Sequence, residues 1–228
     1  LLISLSKKLT MTKSQMTKTT KVLNLYAGIG GNRKLWTNVD VTAVEINPGI
    51  AKIYQDFFPD DKIVVTDAHQ YLLEHFEEYE FIWSSCPCFS HSRAKFWANK
   101  EKVYPDMALY EEILFLKYHF KNFWVIENVL PYYKPLIPAQ QIGRHLFWSN
   151  FWIRPMKCPN FTKVKDSVVK LQKYHGIDIS SYKISRRKVM ILRNCVYPPL
   201  GLHIFNQSKR VRQLSLFTKE KQNYECQE

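Results

Sequence analysis

The chain has 228 residues, 46% of them hydrophobic and 23% charged, with a net charge of +13. That length supports one domain with a substantial core and a small appendage, and the composition excludes a low-complexity or fibrous chain. No apolar run approaches the roughly 18 residues of a membrane span, and the opening LLISLS precedes its lysines and lacks a small-residue cleavage site, so a cytoplasmic protein with no membrane partner is expected.

Residues 1–20 mix Lys, Thr, Ser and Met without periodicity and read as a disordered extension, in which Met11 and Met16 are both plausible starts. From residue 21 the pattern becomes short apolar runs separated by helix-length segments. VLNLYA (22–27), VTAVEI (41–46), KIVVTDA (62–68), FIWSS (81–85) and FWVIENV (123–129) are rich in branched and aromatic residues and are predicted to be strands apolar on both faces. NPGIAKIYQDFF (47–58) and ALYEEILFLKYHF (108–120) have helical length. The alternation predicts βαβ units and a mostly parallel, doubly wound α/β sheet over residues 21–153, with GRHLFWSNFWI (143–153) as a further strand. The rhythm then breaks. Residues 154–188 are expected to form a small irregular lobe, 189–213 to return to the main domain through a helix that Pro198 and Pro199 open near Leu200, and 214–228 to be a tail.

The polar residues that stand out fall at the carboxyl ends of the predicted strands: Gly28, Gly30 and Gly31 after the first, Glu45 after the second, Asp67 after the third, Ser84 to Cys88 after the fourth, Glu127 and Asn128 on the fifth. In open parallel sheets ligands bind along that edge. Glycines there allow a tight turn and close backbone approach, and Glu45, seventeen residues beyond Gly28, is placed to accept from ribose hydroxyls. A full GxGxxG is missing, which favours a nucleoside cofactor without phosphates over a dinucleotide, with Asp67 toward the adenine amino group. A structural glycine turn with surface carboxylates is the alternative.

Five cysteines without a secretory signal point to reduced thiols. Cys86 and Cys88 flank a proline at the ligand edge, and three readings stand. They could hold zinc together with His91, although no second pair at metal spacing exists and no metal is expected. They could be a buried, inert pair. One could be a nucleophile, with Arg93 near enough to help hold a thiolate. Glu127, ending a very apolar strand, is a carboxyl in a desolvated place and is expected to have a raised pKa.

Charge is unevenly placed. Residues 21–150 carry 13 basic and 15 acidic side chains, whereas residues 151–213 carry 14 and 2. A single-sign stretch of that kind suits a nucleic-acid partner.

YAGIGG, the acid of AVEINP, the Asp of TDAHQYL, the cysteine of SSCPCFSHSR and ENV, in this order and spacing, resemble the C5-cytosine DNA methyltransferases, the small phage and bacterial type above all. The similarity continues through QIGRHLFWSNF to LRNCVYPPLGLHIF and covers roughly residues 21–210, leaving only the basic lobe unmatched. It implies a Rossmann-like class I methyltransferase fold and S-adenosyl-L-methionine as cofactor, with S-adenosyl-L-homocysteine as product. It also implies methylation of a flipped cytosine at a short site in double-stranded DNA, as in restriction-modification, by what is expected to be a monomer. Cys88 matches the family nucleophile, and Cys86 stands where the family has a proline. Glu127 matches the acid of ENV. In the Gln-x-Arg-x-Arg block this chain reads Gln141, Ile142, Gly143, Arg144, His145, so Arg144 or His145 is expected to hold the base. Cofactor contacts are implied for Tyr26, Ala27, Gly28, Gly30, Gly31, Glu45, Ile46, Asp67, Ala68, Ser85, Asn194 and Val196. Contacts to DNA are expected from Ser90, Arg93, Arg186, Arg187 and Lys188. A tRNA cytosine-5 methyltransferase and a catalytically silent nucleic-acid binder are the alternatives.

Overall fold

The computed structural model describes residues 19–93, 104–159, 167–184 and 188–225, so the expectations for residues 1–18, Arg186 and Arg187 lie outside the described residues. Seven strands form one sheet: β1 (Thr20–Leu25), β2 (Val39–Val44), β3 (Lys62–Val64), β4 (Phe81–Ser84), β5 (Phe123–Val129), β6 (Gln140–Ile142) and β7 (His145–Ser149). Their order is β3-β2-β1-β4-β5-β7-β6. The first five run parallel, and β7 is antiparallel to both β5 and β6. The chain reverses its direction of travel across the sheet between β1 and β4, and the crevice outside the carboxyl ends at such a switch point is where open α/β sheets bind ligands.

Side chains alternate across each strand, so both faces of the sheet need covering. On one face Leu23, Leu25, Ile82 and Ile126 pack with Leu72 of α2 (Ala68–His75) and with Ile113 and Leu116 of α3 (Ala108–His119). On the other, Val22, Trp83, Val125 and Phe147 pack with Leu200, Ile204 and Phe205 of a long C-terminal helix. There Trp36 stacks on Phe205 with ring centroids 5.1 Å apart. Between β2 and β3 runs α1 (Pro48–Phe57), started by Asn47, whose side chain accepts from the amides of Gly49 and Ile50. Such a cap satisfies amides that the first helical turn leaves without partners.

Four local expectations need correction. The third strand stops at Val64, because Asp67 leaves the sheet to cap α2 by accepting from Gln70 N at 2.8 Å. Residues 143–153 are not one strand. Gly143, at φ +59°, turns the chain so that β6 and β7 form a hairpin. The basic lobe contains a helix, α4 (Val168–His175), ended by Gly176 at φ +61°; its buried face is carried by Leu171 and His175, four residues apart, too short a pattern to stand out among lysines. After α5 (Lys188–Asn194), the C-terminal helix α6 runs from Pro198 to Glu225 and takes in most of the expected tail. Leu171, Ile177 and Ile179 of the lobe share a core cluster with Ile29, Ile53, Ile191 and Leu192. At about 1.5–3 kcal/mol for each large apolar side chain buried, this contact ties the lobe to the sheet edge.

Candidate active site

The first strand delivers the chain into a turn with three residues in left-handed conformation, Tyr26 (φ +53°), Gly28 (φ +55°) and Gly30 (φ +78°). At Gly30 a β-carbon would lie 2.2 Å from the Phe58 ring, and at Gly31 it would meet Cys195 Cβ and Val196 O at 2.8 Å, so two elements close in on a backbone without side chains. At Gly28 a β-carbon would meet nothing within 4 Å, which leaves open space over the turn. Glu45 is held beside it, accepting from Gly28 N at 3.0 Å and Asn47 N at 2.9 Å. Each carboxyl oxygen keeps a further lone pair for a hydroxyl. Ile46 follows with an uncovered apolar side chain, Asp67 is exposed, and Ala27, Ala68 and Val196 are buried. Asn194 is exposed at the end of α5. An acceptor pair, an apolar side chain and an open glycine turn suit a nucleoside, and so fit S-adenosylmethionine.

A second group of residues gathers where β4, β5 and β7 meet. Ser84 pairs with Ile126, which puts the chain leaving β4 alongside Glu127, and Val129 pairs with His145. Glu127 is buried, and His145 Nε2 lies 3.5 Å from its Oε1. Burial pushes the Glu127 carboxyl up to about 7, against the opposing influences of Arg144 and of a hydrogen bond from Ser85. Burial, with help from Arg144, pushes His145 down to about 3, so the imidazole beside Glu127 is neutral and the contact is not an ion pair. Cys88 is half-buried, its thiol raised by burial and by Glu127 and lowered by Arg144. Arg144, on the hairpin turn, donates from Nη2 to Arg193 O at 2.5 Å. Together with His145, Tyr174, Tyr197 and Cys158 it lines a cavity of about 380 Å³. The two candidates for holding the base therefore have different places: His145 in the sheet against Glu127, Arg144 in the turn with its charge felt by both Glu127 and Cys88.

Arg93 does not have the part expected for it. Its side chain is exposed and its Nε donates to Pro131 O at 2.9 Å, while the cation whose charge lowers the Cys88 thiol is Arg144, fifty-six residues after Cys88 in sequence. Ser90 accepts from Asp106 N at 2.9 Å, Lys188 donates to Ser180 O at 2.8 Å, and Ser85 Oγ also accepts from Trp83 Nε1.

Cys86, two residues from Cys88, belongs to the core cluster that holds Leu23, Ile82 and Ile126. It is buried, and its thiol donates to Glu112 Oε2 at 3.2 Å. His91 pairs through Nδ1 with Tyr133 OH at 2.6 Å. The two thiols and this imidazole are thus engaged separately, and among the described residues no group of three or more His, Cys, Asp or Glu could hold a metal ion. Glu112 was missed in the sequence. The signal for it is its spacing: on α3 it falls with Leu109, Ile113 and Leu116 on the buried stripe, so a carboxyl occupies a core position.

The family model of C-5 cytosine-specific DNA methylases matches residues 20–131, the stretch that carries the glycine turn, Glu45, Asp67, Cys88 and Glu127. That stretch of the chain, just under half of it, is similar to the family. Similar solved structures include a triple mutant of DNMT2 from Spodoptera frugiperda (24% identity, 49% of this chain and 36% of that chain, TM-score 0.38). Others are the methyltransferase EhMeth of Entamoeba histolytica (20%, 49% and 38%, TM-score 0.35) and a DNA modification methyltransferase encoded within an Escherichia coli prophage (19%, 51% and 34%, TM-score 0.37). The chain therefore spans little more than a third of the length of each. No curated protein matches it.

Proposed function

We propose that the protein transfers a methyl group from S-adenosylmethionine to carbon 5 of a cytosine in double-stranded DNA. The observation that carries this reading is the meeting of Cys88, Glu127 and Arg144 at the carboxyl edge of the sheet, next to the open glycine turn. When bound, S-adenosylmethionine would supply an electrophilic methyl. Gly28, Glu45, Ile46 and Asp67 would hold its nucleoside. Cytosine is a poor carbon nucleophile until its 5,6 double bond is attacked. In this reading Cys88 Sγ, as thiolate, forms a bond to carbon 6, and the electron pair moves toward carbon 5. Glu127, as the acid, donates its proton to ring N3, so that negative charge does not accumulate on the ring. A carboxyl at about 7 holds that proton in a large share of molecules at neutral pH. Arg144 would hold the ring carbonyl oxygen, and the His145 contact keeps the Glu127 carboxyl aimed. Once carbon 5 carries the methyl, its proton leaves to a base, the carbon–sulfur bond breaks to restore the Cys88 thiolate, and ring N3 returns its proton to the Glu127 carboxylate.

None of these ring atoms can be reached in a stacked duplex, so the base would be flipped at a cost of a few kcal/mol, offset by phosphate contacts of the basic lobe. Duplex DNA containing 5-fluorocytosine tests the reading, because fluorine cannot leave as a proton does. A covalent adduct that survives denaturing electrophoresis is expected with the native chain and not with Cys88→Ala. Parallel methyl-transfer assays on duplex DNA and tRNA decide the nucleic acid. Labelled tRNA with unlabelled DNA would transfer the same chemistry to RNA.

A further inference from the structure

Glu112 is completely buried, yet it is surrounded by polar groups from three segments of the ligand edge: the turn after β1, the start of α2, and the end of β4 with the residues that follow it. Oε1 accepts from Tyr26 OH at 2.6 Å and lies 3.3 Å from His69 Nδ1; Oε2 accepts from Ser84 Oγ at 2.7 Å and from Cys86 Sγ at 3.2 Å. Tyr26 opens the glycine turn in a left-handed conformation that a side chain rarely adopts. Its phenol is held well above the usual range, by burial first and Glu112 next. Ser84 and Cys86 lead directly to Cys88, and His69 follows the Asp67 cap. A buried carboxyl with four such neighbours is satisfied only while all three segments keep their places, and a polar group left without its partners in that core is costly.

We propose that Glu112 is a positioning residue: through Tyr26 and the Ser84–Cys86 segment it holds the cofactor turn and the nucleophile loop in one fixed relation. Cys86 then has a role of its own, as a hydrogen-bond donor to Glu112 where the family resemblance leads one to expect a proline. The inference rests on the function proposed above for its kinetic consequences, but not for its structural ones. Glu112→Gln removes one acceptor without changing volume. Backbone hydrogen exchange over residues 26–30 and 85–90 should quicken about tenfold, the equivalent of one lost hydrogen bond to a charged group. Ile113→Val, on the same helix and also buried, should leave both loops at wild-type protection. Cofactor affinity by calorimetry and kcat should each fall about tenfold in Glu112→Gln, with KM for the nucleic acid unchanged, and Cys86→Ser, which restores a donor, should behave as wild type. Unchanged exchange in both loops of Glu112→Gln overturns the proposal. Native protein that fails to bind S-adenosylmethionine sinks the methyltransferase reading instead, while the exchange data still decide this one. Should Glu112→Gln not fold, Tyr26→Phe and Cys86→Ala decide by the same exchange measurement, wild-type protection in both again counting against it.

Discussion

Cys86 and Cys88 both lie past the end of β4, in a segment interrupted by Pro87, so their facing is set by the turn of that segment and not by the alternation of a strand. One thiol faces Glu112 in the core, and the other faces Glu127 and the field of Arg144. Cys88→Ala should abolish methyl transfer while Cys86→Ser retains it within a few-fold; the reverse pattern in a methyl-incorporation assay would exchange their roles. Since Arg144 lowers the Cys88 thiol, Arg144→Ala should raise it further and reduce the thiolate present at pH 8. Alkylation of Cys88 by iodoacetamide should slow severalfold, and an unchanged rate would remove Arg144 from the site. Glu127 predicts a pH dependence of stability. Its folded pKa of about 7 lies above the ordinary 4.5, so the folded chain holds a proton that the unfolded chain has released, and stability falls as pH rises through that window. His145 at about 3 and His175 at about 4 act at the other end. Below the ordinary 6.5 the unfolded chain takes protons that the folded chain refuses, and stability falls with pH. Glu127→Gln should therefore gain on the native protein in urea unfolding at pH 8 and much less at pH 5; a constant difference would show that Glu127 does not titrate in this range.

At the scale of elements, the site depends on docking between parts distant in sequence. The turn after β1 is pressed against Cys195 and Val196, where α5 gives way to α6. Gly31→Ala would place a methyl 2.8 Å from Cys195 Cβ and from a backbone oxygen, neither of which can swing away. A loss of about 1–3 kcal/mol is expected from such overpacking, measured by denaturant unfolding, with weaker cofactor binding alongside. Wild-type stability would mean that the C-terminal return does not close on the turn. The β6–β7 hairpin has a comparable part, because its register sets His145 against Glu127 and leaves Arg144 in the turn. A one-residue slip would exchange the faces of every side chain in β7.

For the whole molecule, charge is divided along the chain: the sheet region is close to neutral, and the residues beyond 150 are strongly basic. If the basic lobe meets phosphates, duplex DNA binding should weaken by about a hundredfold or more between 50 and 200 mM salt. Fluorescence anisotropy would show this, and a flat salt response would mean that the charge is a solvated face. The lobe is short, so few side chains can reach base edges, and a recognition site of about two to four base pairs is expected.

Sequence alone was enough for the places of the five parallel strands and for the polar residues that follow or end them, because buried parallel strands are continuous apolar runs and the ligand edge follows from chain direction. The family resemblance was legible for a related reason: the glycine turn, Glu45, Asp67, Cys88 and Glu127 come in order along the chain, one to each βα unit. Tertiary structure decided what depends on facing and register. The charge of Arg144 acts on Cys88, His145 meets Glu127 across the β5–β7 pair, the third strand yields to a helix cap, and a carboxyl on α3 joins three segments of the ligand edge. Each of these is a contact between residues that are separated in sequence and brought together by strand pairing or helix packing. Spacing along the chain does not specify such contacts until the sheet order and the face of every element are set.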